Sequence, residues 1–272
     1  MLPLHDVIDF LSRLAPLSLA ETWDNVGLLI GDRSQPVQRV MTCLTLTEDV
    51  AREAVDRGVQ LVVSHHPVLF RPVQRLTADN PEGRLLLTII GAKIAVYSPH
   101  TGYDSAAEGV NRQLAERLEL SDIQPLRPLP EPHPTAATNH SDILHGGGRR
   151  GSLSPPMKLF DLLEIVKNRL GIAALQYTGD DDQPIERLGI ACGSAAEFIS
   201  DAVAQECQAL LLGEARFHSL LEAQAAGLAL ILVGHYASER PAVEQLAAKI
   251  GREFASLDVW ASEAERDPLR WS

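Results

Sequence analysis

Cysteine is scarce in this chain: Cys43, Cys192 and Cys207 are its full complement in 272 residues. They are odd in number and no two form a C-x-x-C pair, which argues against a disulfide framework or a thiolate zinc site and points to a reducing compartment. Positive charge is also short. Lys and Arg number 24 against 36 Asp and Glu, a formal net charge of −12, whereas nucleic-acid affinity comes mainly from cations that neutralise phosphates. A broad nucleic-acid surface is therefore not expected, although bound divalent cations would still create a local positive field. Long apolar runs are missing as well. The longest, such as LLLTII at 85–90, fall far short of the ~20 residues that span a bilayer. The opening stretch MLPLHDVIDFLSRL carries His5, Asp6 and Asp9 where a signal peptide needs an uncharged core. A cytoplasmic protein without membrane association is expected.

What is present is ordinary globular material, 45% apolar and 22% charged, in a length that suits two domains of roughly 150 residues each. Leu4, Ile8, Leu11, Leu14 and Ala15 follow helical spacing up to Pro16. From residue 38 onward, short β-branched or Leu-rich runs alternate with amphipathic stretches, the pattern of βαβ units around mainly parallel sheets. Strands are predicted at 38–46, 59–64, 93–98, 186–192, 208–213 and 228–234. Helices are predicted at 48–57, 82–91, 105–118, 157–170, 194–205, 216–226 and 239–250. Residues 122–156 turn rich in Pro, His, Ser and Gly and read as a linker with room for one strand near 142–153. The predicted domains are thus 1–121 and 157–272, with His133, His140 and His145 solvated in the linker. HGGGRRG at 145–151 lacks the G-K-[ST] ending of a phosphate loop.

The halves resemble each other. RVMTCLTLTEDVAREAVDRGVQLVVSHH matches RLGIACGSAAEFISDAVAQECQALLLGE in layout: strand, helix, strand, then polar residues. Each continues to a strand ending in histidine, AVYSPHTGYD in the first half and LILVGHYASE in the second. A carboxylate follows four residues later in both, giving His100 with Asp104 and His235 with Glu239. Two such pairs at matching positions suggest duplication of a metal-handling unit.

Open α/β sheets carry their functional groups just beyond the carboxyl ends of their strands. LVVSHHPVLF puts His65 and His66 there, with Pro67 ending any regular ladder. Neighbouring strand residues point to opposite faces, so the two rings share a site only if the chain leaves the extended conformation or if they bind different metals. Imidazole and carboxylate without thiolate suit Zn, Mn, Fe, Co or Ni, and do not choose among them. His65, His66, Asp104, His235 and Glu239 are too many for one catalytic zinc with an open position, but suit two ions sharing a carboxylate. Trp23, Asp24 and Asn25 either fix a turn bordering the site or form a buried Trp with a helix-capping side chain. Glu214 and His218 are candidates to support the ligands from behind, although Glu214 would also suit a helix start.

The strings WDNVGLLIGD (23–32), SHHPVLF (64–70), SPHTGYDSAAEGVN (98–111) and VGHYASE (233–239) together resemble the Nif-three-like dinuclear-metal family, whose members often carry the name GTP cyclohydrolase 1 type 2. The resemblance runs from the first helix to about residue 250. It implies two related α/β domains of α/β/α architecture and a homohexamer. It also implies that residues matching His65 and His235 hold one ion, that those matching His66 and Asp104 hold the other, and that the one matching Glu239 bridges. His100 matches a position beside the metals and is assigned to support or proton transfer. The usual H-T-N-L-D reads HTGYD here, so Gly102 and Tyr103 stand next to a ligand. In GEARFHS, Glu214 and His218 stand where relatives often show a His pair. Three functions follow: a metal-dependent hydrolase of a small polar substrate such as a nucleotide, a phosphoesterase, or a non-catalytic metal-binding and protein-interaction factor.

Overall fold

The computed structural model describes residues 2–129 and 145–270. The chain is a mixed α/β protein with mostly parallel sheets, divided into two compact units. One comprises Met1–Tyr103 with Arg240–Pro268, the other Asp104–Glu239 with Leu269–Ser272.

In the first unit the strands lie in the order Asp258–Ala261, Arg39–Cys43, Leu61–Ser64, Ala95–Ser98 and Gly27–Ile30. All neighbours are parallel except the last pair. Leu61–Ser64 and Ala95–Ser98 are buried along their whole lengths, which is why they read as unbroken apolar runs rather than alternating ones. Helix Glu48–Asp56 starts where Thr47 accepts from the Val50 amide, with Glu48 and Asp49 complementing the dipole of the first turn. Helix Pro81–Gly91 starts at Asn80, which accepts from the Gly83 amide at 2.7 Å, and Pro81 occupies its first position. Met41, Val50, Ala54, Val62, Ile89 and Val96 join these helices and strands in one apolar core.

The second unit repeats this plan. Its sheet runs Gln176–Tyr177, Ala229–Leu232, Ala209–Leu212, Pro184–Ala191, Arg149–Lys158 and Ser121–Gln124. The three strands Ala229–Leu232, Ala209–Leu212 and Pro184–Ala191 are parallel, flanked by antiparallel ones. The repeat extends to single hydrogen bonds. Gln60 accepts from the Gln38 and Arg39 amides and donates to the Gly58 carbonyl. Gln208 accepts from the Glu186 and Arg187 amides and donates to the Glu206 carbonyl. Arg39 reaches the Arg57 carbonyl as Arg187 reaches that of Gln205. A side chain repeated in type, place and partners is far stronger evidence of duplication than the strand pattern alone.

Several boundaries differ from the sequence reading. The strand allowed for near 142–153 within the linker forms as Arg149–Lys158, which runs five residues further and belongs to the second sheet rather than to a linker; it is held partly by the buried Arg149, which donates to the carbonyls of Ala106, Gly146 and Gly148. The C-terminal residues expected in the second domain return to the first unit. Strand Asp258–Ala261 pairs with Arg39–Cys43, and the Glu53 carboxylate receives Trp260 Nε1, Ser262 Oγ and the amides of Glu263 and Ala264. The helix predicted at 105–118 is broken into His100–Ser105 and Val110–Arg117, and the one predicted at 239–250 runs His235–Glu253. His133 and His140 lie outside the described residues. Among the described residues no helix is long and apolar enough to cross a membrane.

Candidate metal centre

The strands Arg39–Cys43, Leu61–Ser64 and Ala95–Ser98 deliver the first group of donors beyond their carboxyl ends. His65 donates its amide to the Cys43 carbonyl and His66 to that of Leu44, at 2.9 and 2.8 Å. Ser64 Oγ donates to the His66 carbonyl at 2.8 Å and Ser98 Oγ to that of His65 at 2.7 Å. These bonds turn the chain out of the regular strand, and the two neighbouring rings come to lie with centroids 5.3 Å apart. His100, first residue of helix His100–Ser105, has φ of 29°, a conformation that non-glycine residues hold only where surrounding bonds enforce it. Its ring lies 5.4 Å from that of His65 and 5.6 Å from that of His66. The three imidazoles offer ring nitrogens all within 4.8 Å of one another.

Two of the rings, those of His66 and His100, are oriented from behind. Thr45 Oγ1 lies 2.7 Å from His66 Nδ1, which makes Nε2 the candidate donor atom. Thr45 is itself held by Glu265, whose carboxylate receives the amides of Leu44 and Thr45 at 2.9 and 2.7 Å. Asp24 Oδ1 lies 2.7 Å from His100 Nδ1, and Asp24 Oδ2 receives the Thr101 hydroxyl at 2.5 Å. Burial pushes the Asp24 carboxyl up, but bonds from His100 and Thr101 and the charge of His100 outweigh it and hold it at about 2. Asp24 is therefore ionised at neutral pH and can only accept, so His100 carries its proton on Nδ1. That arrangement of carboxylate behind imidazole fixes tautomer and ring orientation in metal sites.

The second unit assembles Asp104, His235 and Glu239 around the turn Cys192–Gly193, which follows strand Pro184–Ala191. Cys192 Sγ donates to Asp104 Oδ1 at 3.3 Å. Asn111 donates to the Asp104 carbonyl and receives the Cys192 amide. His235 and Glu239 stand one turn apart on helix His235–Glu253, with His235 Nε2 3.1 Å from Glu239 Oε2. Glu214 Oε1 lies 3.1 Å from His235 Nδ1, the counterpart of Asp24 behind His100. Glu239 beside it raises His235 to about 9 against the effect of burial, with Glu214 adding to the rise. Burial, then the charges of Asp104 and Glu239, push the Cys192 thiol far up, so it stays a neutral donor rather than a thiolate ligand. Gly193 has φ of 66°, and a Cβ there would collide with Glu239 Oε1 and touch the His235 ring. A backbone stripped of its side chain at this point leaves room for the two donors.

Imidazole nitrogens and carboxylate oxygens, oriented from behind and free of thiolate, fit hard to borderline divalent cations. The remaining residues noted in the sequence have other roles. Trp23 is exposed while Asp24 serves the site, so this tripeptide borders the donors rather than capping a helix. Tyr103 is buried, and a Cβ at Gly102 would come into ordinary contact with Pro16 and Ala20. His218 is exposed with its ring against Phe217. His145 is half-buried and receives the Ala107 amide at 3.2 Å, so it is not simply solvated. Sequence reasoning missed Thr45, Glu265, Asn111 and Cys192. Only Cys192 carried a signal, its place at the end of a repeated strand.

Comparison with known proteins agrees with this architecture. A Clostridium perfringens protein named GTP cyclohydrolase 1 type 2 homolog is 30% identical over 271 residues, covering 98% of this chain and 99% of its own. NIF3-like protein 1 of Drosophila melanogaster is 31% identical over 269 residues, covering 97% and 87%. A solved Bacillus cereus protein related to NIF3 shares the fold with a TM-score of 0.88 at 21% identity, over 100% of this chain and 99% of that one. The family model described as Duf34/NIF3 (NGG1p interacting factor 3) matches residues 2–268, and the chain belongs to that family.

Proposed function

We propose that this protein binds two divalent metal ions through His65, His66, Asp104, His235 and Glu239 and hydrolyses a small polar substrate. The observation that carries the reading is the cluster of His65, His66 and His100, three ring nitrogens within 4.8 Å of one another, with Thr45 and Asp24 orienting two of the rings. Structural imidazoles rarely gather in threes, because each needs its own hydrogen-bond partners and gains nothing from the others. Zn, Mn, Fe, Co and Ni all suit the donors. Bound divalent ions would supply Lewis acidity and make water a competent nucleophile at neutral pH.

The chain's own residues do the rest. Asp104 and Glu239 bring negative charge that two divalent cations outweigh, so the loaded site attracts anionic or electron-rich substrates. His100, with its proton on Nδ1 held by Asp24, presents Nε2 as the atom that accepts a proton from the attacking water and returns it to the leaving group. The buried Cys192 thiol holds Asp104 in place. The name of the Clostridium perfringens relative supports a nucleotide substrate, with opening of the guanine ring of GTP and release of formate. Phosphate release from GTP would instead favour a phosphoesterase.

The family description, an interacting factor, supports a second reading, a metal-loaded protein that binds partners without turnover. The test measures formate and phosphate released from GTP by metal-replete protein and by Asp104→Ala. Formate released only by the wild type supports the cyclohydrolase reading. Neither product, with metal present, favours the interaction reading. Resemblance to the family also supports a homohexamer in the cytoplasm, for which light scattering should give a mass near six times the 29.6 kDa chain.

A further inference from the structure

Trp23 and Phe70 are large aromatic side chains beside His100, and both face water: Trp23 is 57% exposed and Phe70 48%. Their rings meet edge to face at 5.9 Å, and each stands edge to face with His100, at 6.2 and 6.4 Å. Exposed aromatics scattered singly need no explanation, but a pair held at a site does. This pair is held. Asn25 Nδ2 donates to the Leu69 carbonyl at 2.6 Å, tying the loop that carries Trp23 to the loop that carries Phe70. The neighbouring Asp24 binds His100 and Thr101, and the Glu21 amide donates to Thr101 Oγ1. Trp23 is thus followed by two residues whose side chains fix its loop, while its own ring meets Phe70 and His100 edge to face.

We propose that Trp23 and Phe70 form a stacking wall for the planar heteroaromatic ring of a nucleoside-type ligand, presented with its polar edge toward His100. This rests on the hydrolase reading and deepens it by assigning the residues that would hold the base of its substrate. A preorganised apolar face loses little freedom on binding, which is the condition under which aromatic contacts yield affinity. The 71° angle between the two rings means that one wall offers a face and the other an edge. A flat ring is the shape that satisfies both, by stacking on one and meeting the other edge to face. A sugar phosphate without a base has no group for either. The polar edge of a nucleobase would meet the imidazole of His100 rather than the aromatic walls, so orientation and recognition come from the same loop, Trp23–Asp24–Asn25.

The experiment is titration calorimetry of the full-length protein with guanosine, adenosine and ribose 5-phosphate, once metal-replete and once after chelation, with metal content measured on the same samples. Both nucleosides should bind and ribose 5-phosphate should bind at least tenfold more weakly. Trp23→Ala and Phe70→Ala should each weaken the nucleosides roughly tenfold, Trp23→Phe should restore most of the loss, and melting temperatures should barely move because both side chains are exposed. Asn25→Ala should weaken the nucleosides while leaving metal content unchanged. Equal binding of ribose 5-phosphate, no nucleoside binding at millimolar concentration, or unchanged affinity in the two alanine variants would overturn the proposal. Stacking belongs to the protein alone, so nucleoside binding that survives chelation supports the wall even if no metal is found. Metal without nucleoside binding sinks the wall and leaves the metal reading intact.

Discussion

A buried carboxylate that stays charged has to be surrounded by donors, and Asp24 shows what such a group does for its neighbours. Its side chain is fully buried, yet His100, Thr101 and the Asn25 amide all donate to it. Asp24→Asn keeps the shape but turns one acceptor into a donor, so it no longer dictates which His100 nitrogen carries the proton. We expect turnover to fall about ten- to hundredfold, with the loss appearing in kcat rather than KM and with the pH profile altered. The same residue sets an acid limit. Its folded value of about 2 lies below the ordinary 3.8, so its contribution to stability is complete above about pH 4 and is lost as pH falls through 2. Thermal melts of Asp24→Asn should therefore lack part of the wild-type decline over that window. Gly193→Ala makes a complementary test, because a side chain there strains the backbone and strikes Glu239. We expect a stability loss of about 1 kcal/mol or more and weaker metal binding by calorimetry.

At the scale of elements, the donors depend on segments far from them in sequence. The C-terminal strand Asp258–Ala261 completes the first sheet beside Arg39–Cys43, and just beyond it Glu265 binds the amides of the Leu44–Thr45 turn that orients His66. Glu265→Ala leaves the Leu44 and Thr45 amides without this acceptor and removes the buried carboxylate that pairs with Arg240 at 3.4 Å. It should cost about 2–3 kcal/mol in urea unfolding, and it should weaken metal binding although no ligand has changed. Exposed Glu263, whose carboxylate meets Arg57 at 3.4 Å with 78% of its side chain in solvent, should be replaceable by Ala with little effect on either measurement. This also explains what the sequence could reveal. The fully buried parallel strands announce themselves as short apolar runs, and the histidines that end them stand out by position. The strand near 142–153 was legible only in outline, because the Gly and Pro around it read as a loop and its full extent, Arg149–Lys158, is set by pairing with Pro184–Ala191. The return of Asp258–Ala261 to the first sheet was hidden for a related reason: its partner lies more than two hundred residues away, and nothing local marks the pairing. Thr45 and Glu265 were illegible because one hydroxyl and one carboxylate become parts of the site only through tertiary hydrogen bonds.

At the scale of the whole molecule, a duplicated α/β framework carries two unequal donor groups. Both units keep the repeated Gln and Arg bonds at matching places, but where the first has His65 and His66 the second has Gly213 and Glu214. Duplication supplied the scaffold, and divergence made one unit rich in imidazole and the other rich in carboxylate. Such a division suits cations that take both kinds of donor, and only bound cations would make this region positive in a chain whose net charge is −12. The claim on which the rest depends is that the full donor set holds two divalent ions. Its most direct test is elemental analysis of the metal-replete full-length protein beside His66→Ala and Glu239→Ala, with folding of each checked by circular dichroism. The account predicts about two ions per wild-type chain, close to one in His66→Ala and close to none in Glu239→Ala. One ion or none in the wild type, or folded variants that keep the wild-type content, would contradict it.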